Sequence, residues 1–205
     1  MKFFVGVLSV LLVSSWTLVG QEKAKEAVDT TPGIAVVVVG VADDALAAAA
    51  AKAIKEMFRV PVRVKPMQQA LADSPEKQAK SLSKLMGKED LCLVALFTVP
   101  ENVKFKDYQL ASKHVALLNV WALKSGDGSK KDVYEKRVEK ESLRMVGKLI
   151  GLPVCPLPIC AMSQSANDQA LDAKGVTLCP PCISKAQEAI AALVAAAQKP
   201  ADAKK

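Results

Sequence analysis

The spacing of apolar and polar positions predicts a layered α/β domain. Residues 33–41 (GIAVVVVGV) and 90–99 (DLCLVALFTV) are continuous apolar runs, which are typical of strands buried on both faces of a sheet. Residues 60–65 alternate after Pro61, and residues 113–123 form a further apolar run. These patterns predict a mixed sheet of about four strands.

Helical spacing predicts four helices between and after these strands. Leu46, Ala50, Ile54 and Phe58 recur on one side of residues 44–59. Three further helices are predicted. The first begins at the Ser74 N-cap and ends at Gly87, the second is a long helix over 132–150, and the third spans 183–197.

The N-terminal stretch is typical of an export signal. A lysine at position 2 precedes an apolar run over 3–13 and small residues up to Gly20, so residues 1–20 are expected to be a signal peptide. The alternative is an uncleaved membrane anchor, since 3–20 is barely long enough to span a bilayer at ~20 residues. We expect a linker over 21–32, one domain over 33–198 and a disordered tail over 199–205, in an exported, periplasmic or extracellular protein.

Composition argues against nucleic acid as a partner. The formal net charge is +7, but the basic residues are spread along the chain and aromatic residues make up only 4%. Nucleic-acid binding uses clustered positive charge, often combined with stacking rings. We therefore expect no nucleic-acid partner.

Four of the five cysteines form two closely spaced pairs, Cys155 with Cys160 and Cys179 with Cys182. Two short-range pairs of thiolates can surround one tetrahedral zinc ion. Two alternatives remain: two disulfides formed on export, or a dithiol redox site at Cys179 and Cys182 before a helix. The fifth, Cys92, lies within a predicted core strand, and we interpret it as a buried apolar side chain.

The segment GLP-x-C-x4-C-x-M, followed by C-x2-C, resembles the archaemetzincins, a family of metzincin metallopeptidases. Their signature is H-E-x-x-H-x-x-G-x-x-H-C-x4-C-x-M with a later C-x2-C, and Gly151 and Met162 match it together with the four cysteines. The resemblance implies a metzincin-like fold, the long helix as the active-site helix, a small cysteine-rich C-terminal lobe, and a structural zinc ion held by Cys155, Cys160, Cys179 and Cys182.

The first half of that signature is missing. Where the family has three zinc-binding histidines this chain has Arg144, Lys148 and Val154, and where it has the catalytic glutamate this chain has Met145. Arginine and lysine are cationic and repel a dication, and valine and methionine supply no base. The chain has one histidine, His114, which we interpret as structural or exposed.

We therefore predict a catalytically inactive relative, with one structural zinc ion and no catalytic ion. A binding or structural role is expected, with a peptide or protein held in the former substrate cleft. The alternatives are a zinc-dependent peptidase with a non-standard site, or the dithiol redox protein. Lys140, Arg144 and Lys148 form a cationic stripe on the long helix, either an anion receptor or, as we expect, a solvated face beside Glu135, Glu139 and Glu141.

Overall fold

The computed structural model of this 205-residue chain describes residues 30–40, 44–67, 74–98, 106–124 and 130–198. The expected signal peptide, most of the expected linker and the expected C-terminal tail lie outside the described residues. Within the described residues, no helix is long and apolar enough to cross a membrane.

A five-stranded mixed sheet forms the centre of the described fold. Its spatial order is β2-β1-β3-β5-β4, with β4 antiparallel to β5 and the other neighbours parallel. The strands are β1 (Gly33–Val39), β2 (Val62–Met67), β3 (Asp90–Phe97), β4 (Asp107–Leu110) and β5 (Val115–Asn119). The predicted α/β fold is thus confirmed.

Five α-helices accompany the sheet in the described residues. They are α1 (Asp44–Phe58), α2 (Pro75–Leu82), α3 (Lys131–Leu149), α4 (Asp168–Ala173) and α5 (Pro180–Ala197). The side chain of Ser74 caps α2 by accepting a hydrogen bond from the Lys77 amide at 3.3 Å, as the sequence predicts.

The sheet separates two apolar cores of unequal size. Alternate residues of β1, such as Ile34 and Val36, pack with α1, α3, α5 and the cysteine-bearing segment on one face. The intervening residues, such as Ala35 and Val37, pack with α2 on the other face. All seven residues of β1 are buried, because both faces of the strand are covered.

Two elements differ from the expectation. The four-residue edge strand β4 was not predicted, because four mixed residues carry too little periodicity to distinguish them from a loop. The short helix α4 was not predicted either; its N-cap Asn167 accepts a hydrogen bond from the Ala170 amide at 2.8 Å.

Asp90 is a buried charged residue that joins two strands. Its carboxylate, with no side-chain exposure, accepts hydrogen bonds from Lys65 at 2.6 Å, Arg63 at 3.0 Å and the Gly87 amide at 2.8 Å. Burial alone would raise the pKa of Asp90, but these donors outweigh it and hold the pKa below the ordinary value. The start of β3 is thereby attached to β2 across β1.

Candidate metal centre and adjoining cavity

The long helix α3 ends in a turn that directs the chain toward the cysteines. Gly151 has a φ of +88°, which an L side chain rarely adopts. The Leu152 amide donates to the Gly147 carbonyl at 2.8 Å, and the Gly151 amide donates to the Lys148 carbonyl at 3.1 Å. This is the Schellman pattern of helix termination, and it explains why glycine follows the helix at this position.

Backbone hydrogen bonds hold the two cysteine pairs face to face. The Cys155 amide donates to the Met162 carbonyl at 3.2 Å, which closes the loop that carries the first pair. The Ala161 amide donates to the Thr177 carbonyl and the Gly175 amide to the Ile159 carbonyl, each at 2.9 Å, so the two segments run side by side. The second pair lies at the start of α5, with Cys179 as its N-cap.

The four paired cysteines form one buried cluster. Their Sγ atoms all lie within 4.8 Å of one another, and the Sγ atoms of Cys155 and Cys179 are 3.7 Å apart. Tetrahedral zinc with Zn–S bonds of about 2.3 Å requires sulfur atoms about 3.8 Å apart. All five cysteines are free thiols, and the 3.7 Å separation exceeds a disulfide bond of about 2.05 Å. The cluster can therefore hold one zinc ion.

The first turn of α5 favours negative charge on the cluster. The Cys179 amide donates to Cys160 Sγ at 3.3 Å. The pKa of the Cys179 thiol lies below its ordinary value, chiefly because of the backbone amide of Cys182, whereas burial raises the pKa of Cys160 and of Cys182. A bound dication would stabilise all four thiolates together.

A small cavity adjoins this cluster at the positions where the resemblance places the catalytic residues. It measures about 120 Å³ and is lined by Arg144, Lys148, Val154, Met162 and Gln164. The three residues that replace the histidines therefore meet around one space, beside the methionine of the motif. Met145, which replaces the catalytic glutamate, has no exposure and belongs to the core.

An ion-pair network adjoins the cavity through Arg144 and Lys148. Arg144 donates to Asp107 on β4 at 2.6 Å and to Glu141 at 2.6 and 2.8 Å. Lys174 donates to the other oxygen of Glu141 at 3.0 Å, and both of these side chains are 1% exposed. Burial alone would raise the pKa of Glu141, but Arg144 and Lys174 outweigh it and hold the pKa below the ordinary value.

The expectation that the cationic stripe of α3 faces water is wrong. Lys140 is 5% exposed, and its ammonium donates to the Leu171 and Asp172 carbonyls at 3.0 and 2.8 Å, where it caps the end of α4. The Arg144 side chain is 13% exposed, and Lys148 lies 3.7 Å from Asp107. Of the three expected glutamate partners, Glu141 pairs with Arg144, whereas Glu135 contacts Lys131 at 3.8 Å. Most of the stripe therefore attaches α3 to its neighbours.

His114 and Cys92, the other two residues considered in the sequence, lie away from this site. His114 ends a 3-10 turn before β5 with a φ of +51°. Asp107 pairs with Leu118 near the other end of β5, so His114 and the ion pair between Asp107 and Arg144 lie at opposite ends of that strand. Cys92 is fully buried in β3, as expected, and burial raises its pKa to about 12.

Three residues around the cavity were missed by sequence reasoning. Asp107, Gln164 and Lys174 lie in β4 or in loops, far in sequence from α3. Lone polar residues in such segments carry no periodic signal. The one available signal was the position of Arg144 on a buried helix face, because a buried cation needs a partner.

Solved structures of similar fold come from three archaea. An archaemetzincin from Methanopyrus kandleri has 20% identity and a TM-score of 0.62, with 78% of this chain and 96% of that chain covered. A zinc-dependent peptidase from Methanocorpusculum labreanum has 17% identity and a TM-score of 0.60, covering 75% and 100%. An archaemetzincin from Archaeoglobus fulgidus, complexed with malonate, has 19% identity and a TM-score of 0.56, covering 74% and 98%.

A search among curated protein sequences finds no significant match. The model of peptidase family M54 matches residues 46–188, a span that includes α3, the cavity and all four clustered cysteines. This chain belongs to peptidase family M54, the archaemetzincin family.

Proposed function

We propose that this chain is a non-hydrolytic member of family M54 that keeps a structural zinc ion and uses the former catalytic cleft for binding. The observation that carries the proposal is the cavity formed by Arg144, Lys148 and Val154. A catalytic zinc ion needs three neutral or anionic ligands and an open position for water. A guanidinium, an ammonium and an isopropyl group provide none of these ligands.

The proposal is supported by the lack, among the described residues, of other acidic or imidazole groups that could replace the missing ligands. Asp107 and Glu141 are the carboxylates nearest to Arg144, and both are engaged by its guanidinium. The one histidine of the chain lies at the opposite end of β5 from Asp107. Among the described residues, the four-cysteine cluster is the only group of three or more potential ligands close enough to hold a metal ion.

The proposed zinc ion joins two segments of the chain. Cys155 and Cys160 lie in the loop after α3, and Cys179 and Cys182 begin α5. Because α5 packs on α1 and β3, the ion would fix the last helix against the core. This role requires the four thiolates and no open coordination position, which is the arrangement of structural zinc sites.

Metal content and thiol counting test this proposal directly. We expect one zinc ion per chain and five thiols that react after denaturation with a chelator. Cys160→Ala should lose the zinc, whereas Cys92→Ala, which also removes a buried thiol, should keep it. Two metal ions per chain, or no metal with four oxidised sulfurs, would contradict the proposal.

Hydrolysis must be tested separately. We expect no cleavage of a mixed peptide library by the zinc-loaded protein, with or without added Zn²⁺. Cleavage that a chelator abolishes would instead establish an active peptidase with a non-standard site. Thiol–disulfide exchange activity that Cys179→Ser abolishes would favour the redox alternative.

We further propose that the protein is exported. The support is the order of Lys2, the apolar run over 3–13 and the small residues up to Gly20. Mass spectrometry of the mature N-terminus should find a chain that begins near residue 16 or 21. An intact N-terminus in the membrane fraction would indicate an anchor.

A further inference from the structure

We propose that the cavity beside α3 binds the C-terminal carboxylate of a peptide that ends in an apolar residue. The proposal rests on the proposed function, because it needs a cleft without a catalytic ion, and it adds the chemical class of the ligand. It is carried by free donors, by the charge balance of the ion-pair network and by the apolar wall of the cavity.

Two cationic side chains that line the cavity retain unused donors. Arg144 uses Nε and Nη2 for Glu141 and Asp107, and its Nη1 has no hydrogen-bonding partner among the described residues. In the described part of the chain, Lys148 Nζ has one ion-pair partner, Asp107 at 3.7 Å, and this distance is too long for a hydrogen bond. Gln164 adds a side-chain amide to the same lining. These groups are the donors that a carboxylate accepts from.

The network around the cavity carries one excess positive charge. Arg144, Lys148 and Lys174 supply three cations, whereas Asp107 and Glu141 supply two carboxylates, and all are linked by ion pairs. A monoanion balances this charge, and a phosphate dianion exceeds it. The volume of about 120 Å³ corresponds to about four water molecules, which suits a carboxylate and little more.

Apolar surface borders the charged part of the cavity. Met162 and Val154 line it, and Val154 is also 55% exposed. The same loop continues with Leu157 and Ile159, which are 46% and 70% exposed. The exposed aliphatic side chain of Val154, in the lining of a cationic recess, favours a ligand that presents a carboxylate and an apolar side chain together.

The test compares a free acid with its amide. N-acetyl-Ala-Ala-Leu and the same peptide as its C-terminal amide are titrated into the zinc-loaded full chain by calorimetry, with inorganic phosphate as a third ligand. We expect the acid to bind about tenfold or more tightly than the amide, since a hydrogen bond between charged groups contributes at least that factor. Phosphate should bind more weakly than the acid.

Lys148→Gln and Lys136→Gln form a matched pair on α3. Both remove one positive charge, but Lys136 is exposed and does not line the cavity. We expect Lys148→Gln to weaken binding of the acid about tenfold and to leave binding of the amide unchanged, whereas Lys136→Gln should bind like the wild type. Val154→Asp should also weaken binding of the acid, by charge repulsion at an exposed position.

Equal binding of acid and amide, tighter binding of phosphate, or equal effects of the two lysine variants would each overturn the proposal. These results would leave the proposed absence of hydrolysis standing, because the peptide-library assay tests it separately. Conversely, zinc-dependent cleavage would refute the proposed function whatever the titrations give.

Discussion

At the scale of single residues, Gly147 and Met162 fit one another closely. A Cβ built at Gly147 would overlap Met162 Sδ and lie 3.0 Å from its Cε, and Met162 is 1% exposed. Overpacking costs about 1–3 kcal/mol, whereas alanine gains about 1 kcal/mol over glycine in a helix. We expect Gly147→Ala to lower the free energy of unfolding by about 1 kcal/mol, measured by chemical denaturation.

Ser142→Ala is the matched control on the same helix. The Ser142 hydroxyl is buried and has no hydrogen-bonding partner among the described residues. Removing it leaves no group unsatisfied and improves helix propensity, so stability should stay equal or rise by up to about 1 kcal/mol. If both variants lose stability, the cause is a general effect of alanine in α3 and not the contact between a Cβ at position 147 and Met162.

The second prediction at the residue scale concerns the ion pairs of Glu141. Glu141→Gln would leave Arg144 and Lys174 without their shared buried carboxylate. Breaking a buried ion pair in this way costs about 3–5 kcal/mol. We expect a decrease of that size in the free energy of unfolding, and less than about 0.5 kcal/mol for Glu135→Gln, whose 3.8 Å contact with Lys131 is largely exposed.

The residue-level expectations had mixed success for a physical reason. Short spacing keeps the two thiols of each cysteine pair close in space, and the resemblance to the archaemetzincins predicted that both pairs hold one ion; the four Sγ atoms do form one cluster. Sequence reasoning placed Lys140 and Arg144 in water, because charged residues are seldom buried. Their partners Asp107 and Asp172 are distant in sequence, so burial of these cations could not be foreseen.

At the scale of elements, the contact between β2 and β3 depends on pH. The ordinary pKa for Asp90 is 3.8, and its folded pKa lies lower. A depressed folded pKa means that the stabilising effect is complete above that ordinary value and is lost as the pH falls through the folded pKa. We expect Asp90→Asn to cost about 2–3 kcal/mol at pH 7, and this difference from wild type to shrink below about pH 4.

Denaturation of both proteins between pH 7 and pH 2 measures this effect. Asp132→Asn, at an exposed position in the first turn of α3, serves as the control and should change stability by less than about 0.5 kcal/mol. A difference for Asp90→Asn that stays constant to pH 2 would show that the carboxylate charge contributes nothing.

Long periodic elements were predictable, and short ones were not. The buried strands β1 and β3 and the helices α1 and α3 follow from apolar runs and 3.6-residue spacing. The predicted fourth strand over 113–123 is shorter, since β5 spans Val115–Asn119 and a 3-10 turn continues to Leu123. That turn and β4 are defined by tertiary contacts, which a local pattern does not contain.

At the scale of the whole molecule, the last helix and the cysteine loops should depend on the metal. If the proposed zinc ion contributes about 5 kcal/mol or more, its removal lowers the melting temperature by on the order of 10 °C. We expect a strong chelator to cause this loss and to expose residues 153–179 to proteolysis before the central sheet. The chelator should lower the melting temperature of Cys92→Ala as it does that of the wild type. Cys160→Ala should have a low melting temperature that the chelator does not change.

Under the proposed non-hydrolytic function, the ion pairs of Arg144 would also oppose the introduction of a catalytic zinc site. Writing histidines at positions 144, 148 and 154 and a glutamate at 145 would delete the cation that neutralises Asp107 and Glu141. It would also place a carboxylate at a site with no exposure, deep among apolar side chains. Such a variant would therefore need compensating changes on β4 and at Glu141 before a catalytic ion could bind, so the four substitutions alone should yield an unstable protein and not an enzyme.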